Sequence, residues 1–139
     1  MRTPHFINDT SPGVTISAGV AAALTKVVAY QVQPGSDVLL SASSVVMLKD
    51  RGATETADKS KVEIRVVKAN QKGMAVLAQS VYLMLKRNQD TRIQFHPIQG
   101  TAVYRLRPFD YLEVHVNSDQ TLAAASLDFA LQAEEEARA

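Results

Sequence analysis

Short runs in which every second residue is apolar constrain this chain more than any other feature. Val62, Ile64 and Val66 alternate with Lys61, Glu63 and Arg65, Tyr111 to Val116 reads YLEVHV, and Ser126 to Gln132 reads SLDFALQ. A period of two places one face of the segment in a core and the other in water, as in antiparallel strands. Such runs recur along the 139 residues between clusters of turn residues. The expected fold class is therefore all-β, an antiparallel jelly-roll-like sandwich.

The boundaries follow from turn chemistry. Residues 1–19 carry Pro4, Pro12 and Gly13 with Asn8, Asp9, Thr10 and Ser11 between them, which reads as an extended N-terminal arm. A β-sandwich domain is expected over 20–134 and an acidic C-terminal tail over 135–139. Val20 to Gln33 opens the core, and Gln33 to Ser36 makes a turn with Pro34 and Gly35 adjacent. Asp37 to Lys49 reads as one strand kinked at Ser41 to Ser44, Asp50 to Ser60 as a polar loop, and Lys61 to Lys68 as the cleanest strand. Gly100 to Leu106, Asp110 to Asn117 and Thr121 to Ala133 complete the set.

Two segments admit an α+β alternative, with a helix at 73–87 or 121–137. Met74, Leu77, Ala78, Val81 and Leu85 fit a helical stripe, but Val81, Leu83 and Leu85 also alternate with Tyr82 and Met84. A hairpin is favoured there, turning at Asn88 to Thr91 into a strand from Arg92 to His96. In the second segment Ala123 to Ala125 favour helix. Against them, Leu127, Phe129 and Leu131 alternate with polar or small residues, and three glutamates would oppose the macrodipole at a helix C-terminus. Strand is favoured again.

Composition narrows the function classes. There is no cysteine, so disulfides and thiolate chemistry are excluded. No run approaches the eighteen apolar residues of a membrane helix. Val14 to Leu24 is the nearest thing to a signal-peptide core, but its flanks fit a small-residue arm or first strand better. The net charge of +1 conceals two blocks: Lys49 to Arg107 holds 12 basic and 5 acidic residues, Pro108 to Ala139 holds 1 and 7. Blocks of opposite sign let one subunit's basic surface meet another's acidic surface, unless the strands interleave in space and average them out.

No catalytic constellation is expected, and no metal or cofactor. His5, His96 and His115 stand on separate segments, which argues against a cupin-type metal enzyme. Asp110 with Glu113 flanks a strand start, and Glu55 with Asp58 sits in a polar loop, a poor scaffold for acid–base work. Ser41, Ser43 and Ser44 lack the strained, glycine-flanked turn of a nucleophile elbow. The six glycines form no phosphate loop. Tyr104 to Tyr111 mixes rings with Arg105 and Arg107, as a single-stranded nucleic-acid-binding β-domain would. Alternation there turns Tyr104 toward the core and the guanidinium groups into water. A carbohydrate- or receptor-binding sandwich is the other alternative, although the chain has no tryptophan and only eight aromatic residues for a stacking platform.

The stretch from Arg107 to Glu136, RPFDYLEVHVNSDQTLAAASLDFALQAEEE, runs from an aspartate turn through a strand and a polar hairpin to a long last strand. With the Pro-containing arm and Gln33-Pro-Gly35, this layout resembles the head decoration (cement) proteins of tailed bacteriophages. The resemblance covers the general plan of the chain and no diagnostic motif. It implies a non-enzymatic structural protein that binds the major capsid protein lattice in many copies, commonly as a trimer. It also implies a place on the virion surface after synthesis in the host cytoplasm. The residues expected to meet a partner are Phe6 and Ile7 of the arm, Tyr82 and Met84 on a segment apolar on both faces, and the basic pair Arg105 and Arg107.

Overall fold

The computed structural model describes residues 2–51, 60–67, 74–76, 81–83, 90–94, 103–118 and 121–138. Twelve strands lie within them: β1 (Arg2–Asn8), β2 (Val14–Ile16), β3 (Thr25–Gln31), β4 (Ser36–Ser41), β5 (Val45–Asp50), β6 (Ser60–Val67), β7 (Met74–Val76), β8 (Val81–Leu83), β9 (Asp90–Gln94), β10 (Val103–Leu106), β11 (Tyr111–Ser118) and β12 (Leu127–Ala137). A 3-10 turn, Ala124–Ser126, precedes β12. The all-β expectation holds, and the described parts of 73–87 and 121–137 are not α-helical.

The pairings nest. β1 pairs β12, β3 pairs β11, β4 pairs β10, β5 pairs β9, and β6 pairs β7 and β8, all antiparallel. This is one long hairpin, the first half of the chain against the second, rolled into two sheets. Further pairings of β12 with β4 and β5, and of β11 with β6, close the roll. The result is a jelly-roll sandwich of two six-stranded sheets.

In the first sheet β12 is the axis. Residues 130–136 pair with β1 along one edge, so β4 (against 134–137) and β5 (against 127–132) must share the other edge. β4 and β5 are thus one strand line broken at Ser41 to Ser44, the kink expected from the sequence. Ser44 closes that break, its hydroxyl accepting from the Ser41 amide at 3.0 Å while its own amide reaches the Ser41 carbonyl. β10 and β9 flank β4 and β5 in the same way. The second sheet runs β2-β3-β11-β6, with β7 and β8 on the far edge of β6.

The core lies between the sheets. Val38, Leu40, Val46, Leu48, Leu127, Phe129 and Leu131 face it from the first sheet, and Val28, Tyr30, Leu112, Val114 and Val116 from the second. Along β5 the buried residues are every second one, Val46, Leu48 and Asp50, and the alternation in β12 runs from Leu127 to Ala133. Apolar burial of this kind is the main favourable term in folding, at roughly 1.5–3 kcal/mol for each large side chain fully removed from water. Gly35, in the turn between β3 and β4, sits at φ +102° with open space around it, so backbone conformation selects glycine there.

Three expectations need correction. Residues 2–8 are not a free arm: β1 pairs seven residues deep with β12, and β2 lies on β3. The alternation hidden in HFIN (Ile7 inward, Phe6 outward) supplies the strand period that the loop residues around it obscure. The acidic end is not a frayed tail, because Glu135, Glu136 and Ala137 belong to β12 and pair with β4. Third, β8 and β9 do not form a hairpin: β8 pairs β6 in the second sheet and β9 pairs β5 in the first.

Candidate partner-binding surface

Alternation along β1 sends Ile7 into the core and leaves Pro4 and Phe6 on the outer face of the first sheet. Phe6 is 68% exposed, an uncommon setting for a phenyl ring on a regular strand. Ile7, 4% exposed, is a core residue, which removes it from the partner-binding set while β1 is in place. Beside Phe6, Pro4, Thr3, Ser43, Gln132 and Glu134 border a shallow cavity of about 240 Å³. Pro4 has no amide hydrogen to offer and Arg2 adds a charge, two devices that discourage strand-to-strand aggregation at a sheet edge.

On the same face the charges are consumed by one another. Asp37 in β4 accepts from Arg105 on one carboxylate oxygen and from Arg138 on the other, both at 2.7 Å. Arg105 also donates to Glu136 at 3.1 Å, and Arg2 lies 3.7 Å from Glu136. Burial works to raise the Asp37 carboxyl, but the hydrogen bonds and charges of Arg105 and Arg138 outweigh it and hold it below the usual carboxylate range. Farther along, Arg51 meets Asp128 at 2.8 Å. Arg105 and Arg51 come from the basic block, Glu136 and Asp128 from the acidic one. The two blocks therefore interleave in space, and Arg105 serves the fold rather than presenting a free cation.

A second cluster bridges the sheets. Glu135 points inward at the end of β12, where His5 Nδ1 lies 2.9 Å from it, and His5 Nε2 lies 3.4 Å from the Tyr30 hydroxyl of β3. A carboxylate only accepts, so Nδ1 carries the hydrogen of this bond, and Nε2 is the atom that meets the Tyr30 hydroxyl. Burial and then the charge of Glu135 push the Tyr30 phenol up to about 12, which keeps it a donor. Nothing in the sequence signals this trio: its members are 130 and 25 residues apart, and only the nesting of β1, β3 and β12 unites them.

On the outer face of β11, His115 Nε2 contacts Glu113 at 2.9 Å, and Lys26 stands 3.6 Å from the other Glu113 oxygen. His115 is buried although it lies on the outer face, because β11 is a central strand flanked by β3 and β6. Among the described residues no group of three or more His, Cys, Asp or Glu could hold a metal ion, and no helix is long and apolar enough to cross a membrane.

The turn from Arg107 to Asp110 presents a second exposed ring. The Asp110 carboxylate accepts from the Arg107 amide at 2.9 Å, the Asp110 amide donates to the Arg107 carbonyl at 3.0 Å, and the Phe109 amide donates to Val32 at 2.8 Å. Phe109 is held at φ +72° and is 53% exposed. Arg107 is exposed beside it, while Tyr104 packs against the core as the alternation predicts. Tyr82 lies in β8, on the far edge of β6, and Met84 lies outside the described residues.

No family model and no curated protein matches the chain. Among solved structures it is similar to a chain of infectious bursal disease virus Gx strain (9% identity, TM-score 0.46). It is also similar to VP17, a capsid protein of bacteriophage P23-77 (7% identity, TM-score 0.49), and to a family two carbohydrate esterase from Cellvibrio japonicus (8% identity, TM-score 0.35). The matches cover 97%, 100% and 100% of this chain, and 31%, 98% and 35% of those chains respectively.

Proposed function

We propose that this chain is a non-enzymatic structural protein that docks in many copies, as a trimer, on the outer surface of a virus capsid, in the manner of a phage head decoration protein. The observation that carries the reading is the split between paired charge and unpaired aromatic surface. Asp37, Glu113, Glu135 and Glu136 all have intramolecular partners, whereas Phe6 and Phe109 stand in solvent on hydrogen-bonded backbone. Preorganised carboxylates with free valence would suit an enzyme. Rigid exposed rings suit an interface, where aromatic anchors supply much of the binding energy. The layout of the closing strands, with its resemblance to cement proteins, supplies the capsid as partner.

The test is co-sedimentation with purified capsids. Saturable binding with a fixed number of copies per capsid is expected, together with a higher temperature of capsid disruption. Pelleting with polysaccharide or single-stranded DNA, and not with capsids, would replace the reading by one of the two alternatives.

A further inference from the structure

The Phe109 turn is built in an unfavourable way that exposes its ring. The geometry of Arg107 to Asp110, with Pro108 second and a positive φ third, is that of a turn whose third position ordinarily takes glycine. Phenylalanine there is strained, and its ring gains no compensating burial, being 53% exposed. Three hydrogen bonds pin the backbone around it, so the ring is presented and not merely loose. Strain without internal reward points to an external contact.

The groove at Phe6 is the complement. Its volume of about 240 Å³ lies below the roughly 300–1,000 Å³ of small-molecule pockets, but it suits one side-chain anchor. Pro4 and Phe6 give it exposed apolar walls, and Arg2 and the half-exposed carboxylate of Glu134 border it, their charges 4.0 Å apart in a loose pair that an incoming guanidinium can share. Arg107, two residues before Phe109, is exposed and has no side-chain partner among the described residues. A larger cavity of about 400 Å³ near Asp9, Asp90 and Asp128 has no exposed aromatic wall, and Asp128 there already holds Arg51.

We propose that the Arg107–Phe109 turn of one copy seats in the Pro4–Phe6 groove of a second copy, with the phenyl ring against Phe6 and the Arg107 guanidinium against Glu134. The contact joins two different patches, so it is head-to-tail and builds a closed ring or a lattice rather than a two-fold dimer. It rests on the multi-copy part of the function proposed above and gives that part its residues. Burying both rings together also removes from water the two largest exposed apolar side chains among the described residues.

Sedimentation equilibrium of the full chain, without capsid, separates this contact from capsid docking. Phe109→Gly relaxes the turn, so the variant should unfold at the same or a higher temperature while its self-association falls roughly tenfold or more. Phe6→Ala should weaken association to a similar degree. Arg107→Glu and Glu134→Arg should each weaken it, and mixing the two single variants should restore association in part, because every contact between unlike copies then joins opposite charges while a ring of three keeps one contact between like copies. A wild type that is monomeric at tens of micromolar, Phe109→Gly with wild-type association, or no recovery on mixing would each overturn the contact. Association that follows this pattern without any capsid binding would leave the contact standing and remove the capsid.

Discussion

The two halves of β12 obey different rules. From Leu127 to Ala133 the strand is held by what it buries: Leu127, Phe129, Leu131 and Ala133 face the core, and β5 runs alongside. From Glu134 to Ala137 it is held by what it bonds. Glu135 reaches His5 inside the sandwich, Glu136 reaches Arg105 and Arg2 outside it, and β1 and β4 pair on either edge. The first half is stabilised mainly by surface removed from water, with Asp128 on its outer face paired to Arg51. The second is a set of partly exposed ion pairs, each worth little alone, that share Asp37 and the two neighbouring strands. One strand thus carries both the closure of the core and the base of the docking groove.

Substitutions should separate these halves by size of effect. Phe129→Ala, which empties a fully buried site in the apolar half, should cost about 3–5 kcal/mol in chemical denaturation. A loss below about 1 kcal/mol would mean that the core does not depend on that ring. Asp37→Ala, which removes the carboxylate shared by Arg105 and Arg138, should cost about 1–3 kcal/mol, and Asp37→Asn less, since the amide oxygen still accepts. Arg2→Ala, at a pair half in solvent, should stay within about 0.5 kcal/mol. If Arg2→Ala matched Phe129→Ala, the ranking of burial over exposed charge would fail.

The pH dependence sharpens the same contrast. The folded-state carboxyl of Asp37 lies below its ordinary value. Its contribution is therefore complete above the unfolded value, about 3.9, and is lost as pH falls through the lower folded value. The wild-type advantage over Asp37→Asn should shrink across that acid window and vanish beneath it. Tyr30 has the opposite sign. With its phenol raised from 10.0 to about 12, its contribution is complete below pH 10 and is lost as pH rises toward 12, so Tyr30→Phe should flatten the alkaline limb of the stability curve. Phe129→Ala should shift the whole profile without changing its shape.

The comparison also explains what the sequence could and could not disclose. The apolar half of β12 is legible because period-two burial is local: SLDFALQ states its own inside and outside. The kinked line of β4 and β5 and the strand at β11 were readable for the same reason. The charged half is not legible, because its partners are distant. Arg2 and His5 come from the other end of the chain, and Asp37 and Arg105 from two further strands. An EEE run read alone resembles a solvated tail, and RTPHFIN read alone resembles a loop, since each gains its strand character from pairing with the other. Phe6 was legible as a candidate from its setting among loop residues, and the structure leaves its ring exposed. Phe109 was not, because a strained φ leaves no mark in composition.

The claim on which the rest depends is that β1 is a fixed strand that presents Phe6 from a rigid surface, not an arm that orders on a partner. Amide hydrogen exchange of the isolated protein tests it most directly. Strand pairing predicts slow exchange at the hydrogen-bonded amides of both β1 and Glu134–Glu136, and deleting residues 2–8 should expose those amides of 134–136 that bond β1 while the ones bonded to β4 stay protected. Exchange of 2–8 and 134–136 at the rate of an unfolded chain, beside protected Phe129 and Leu131, would contradict it.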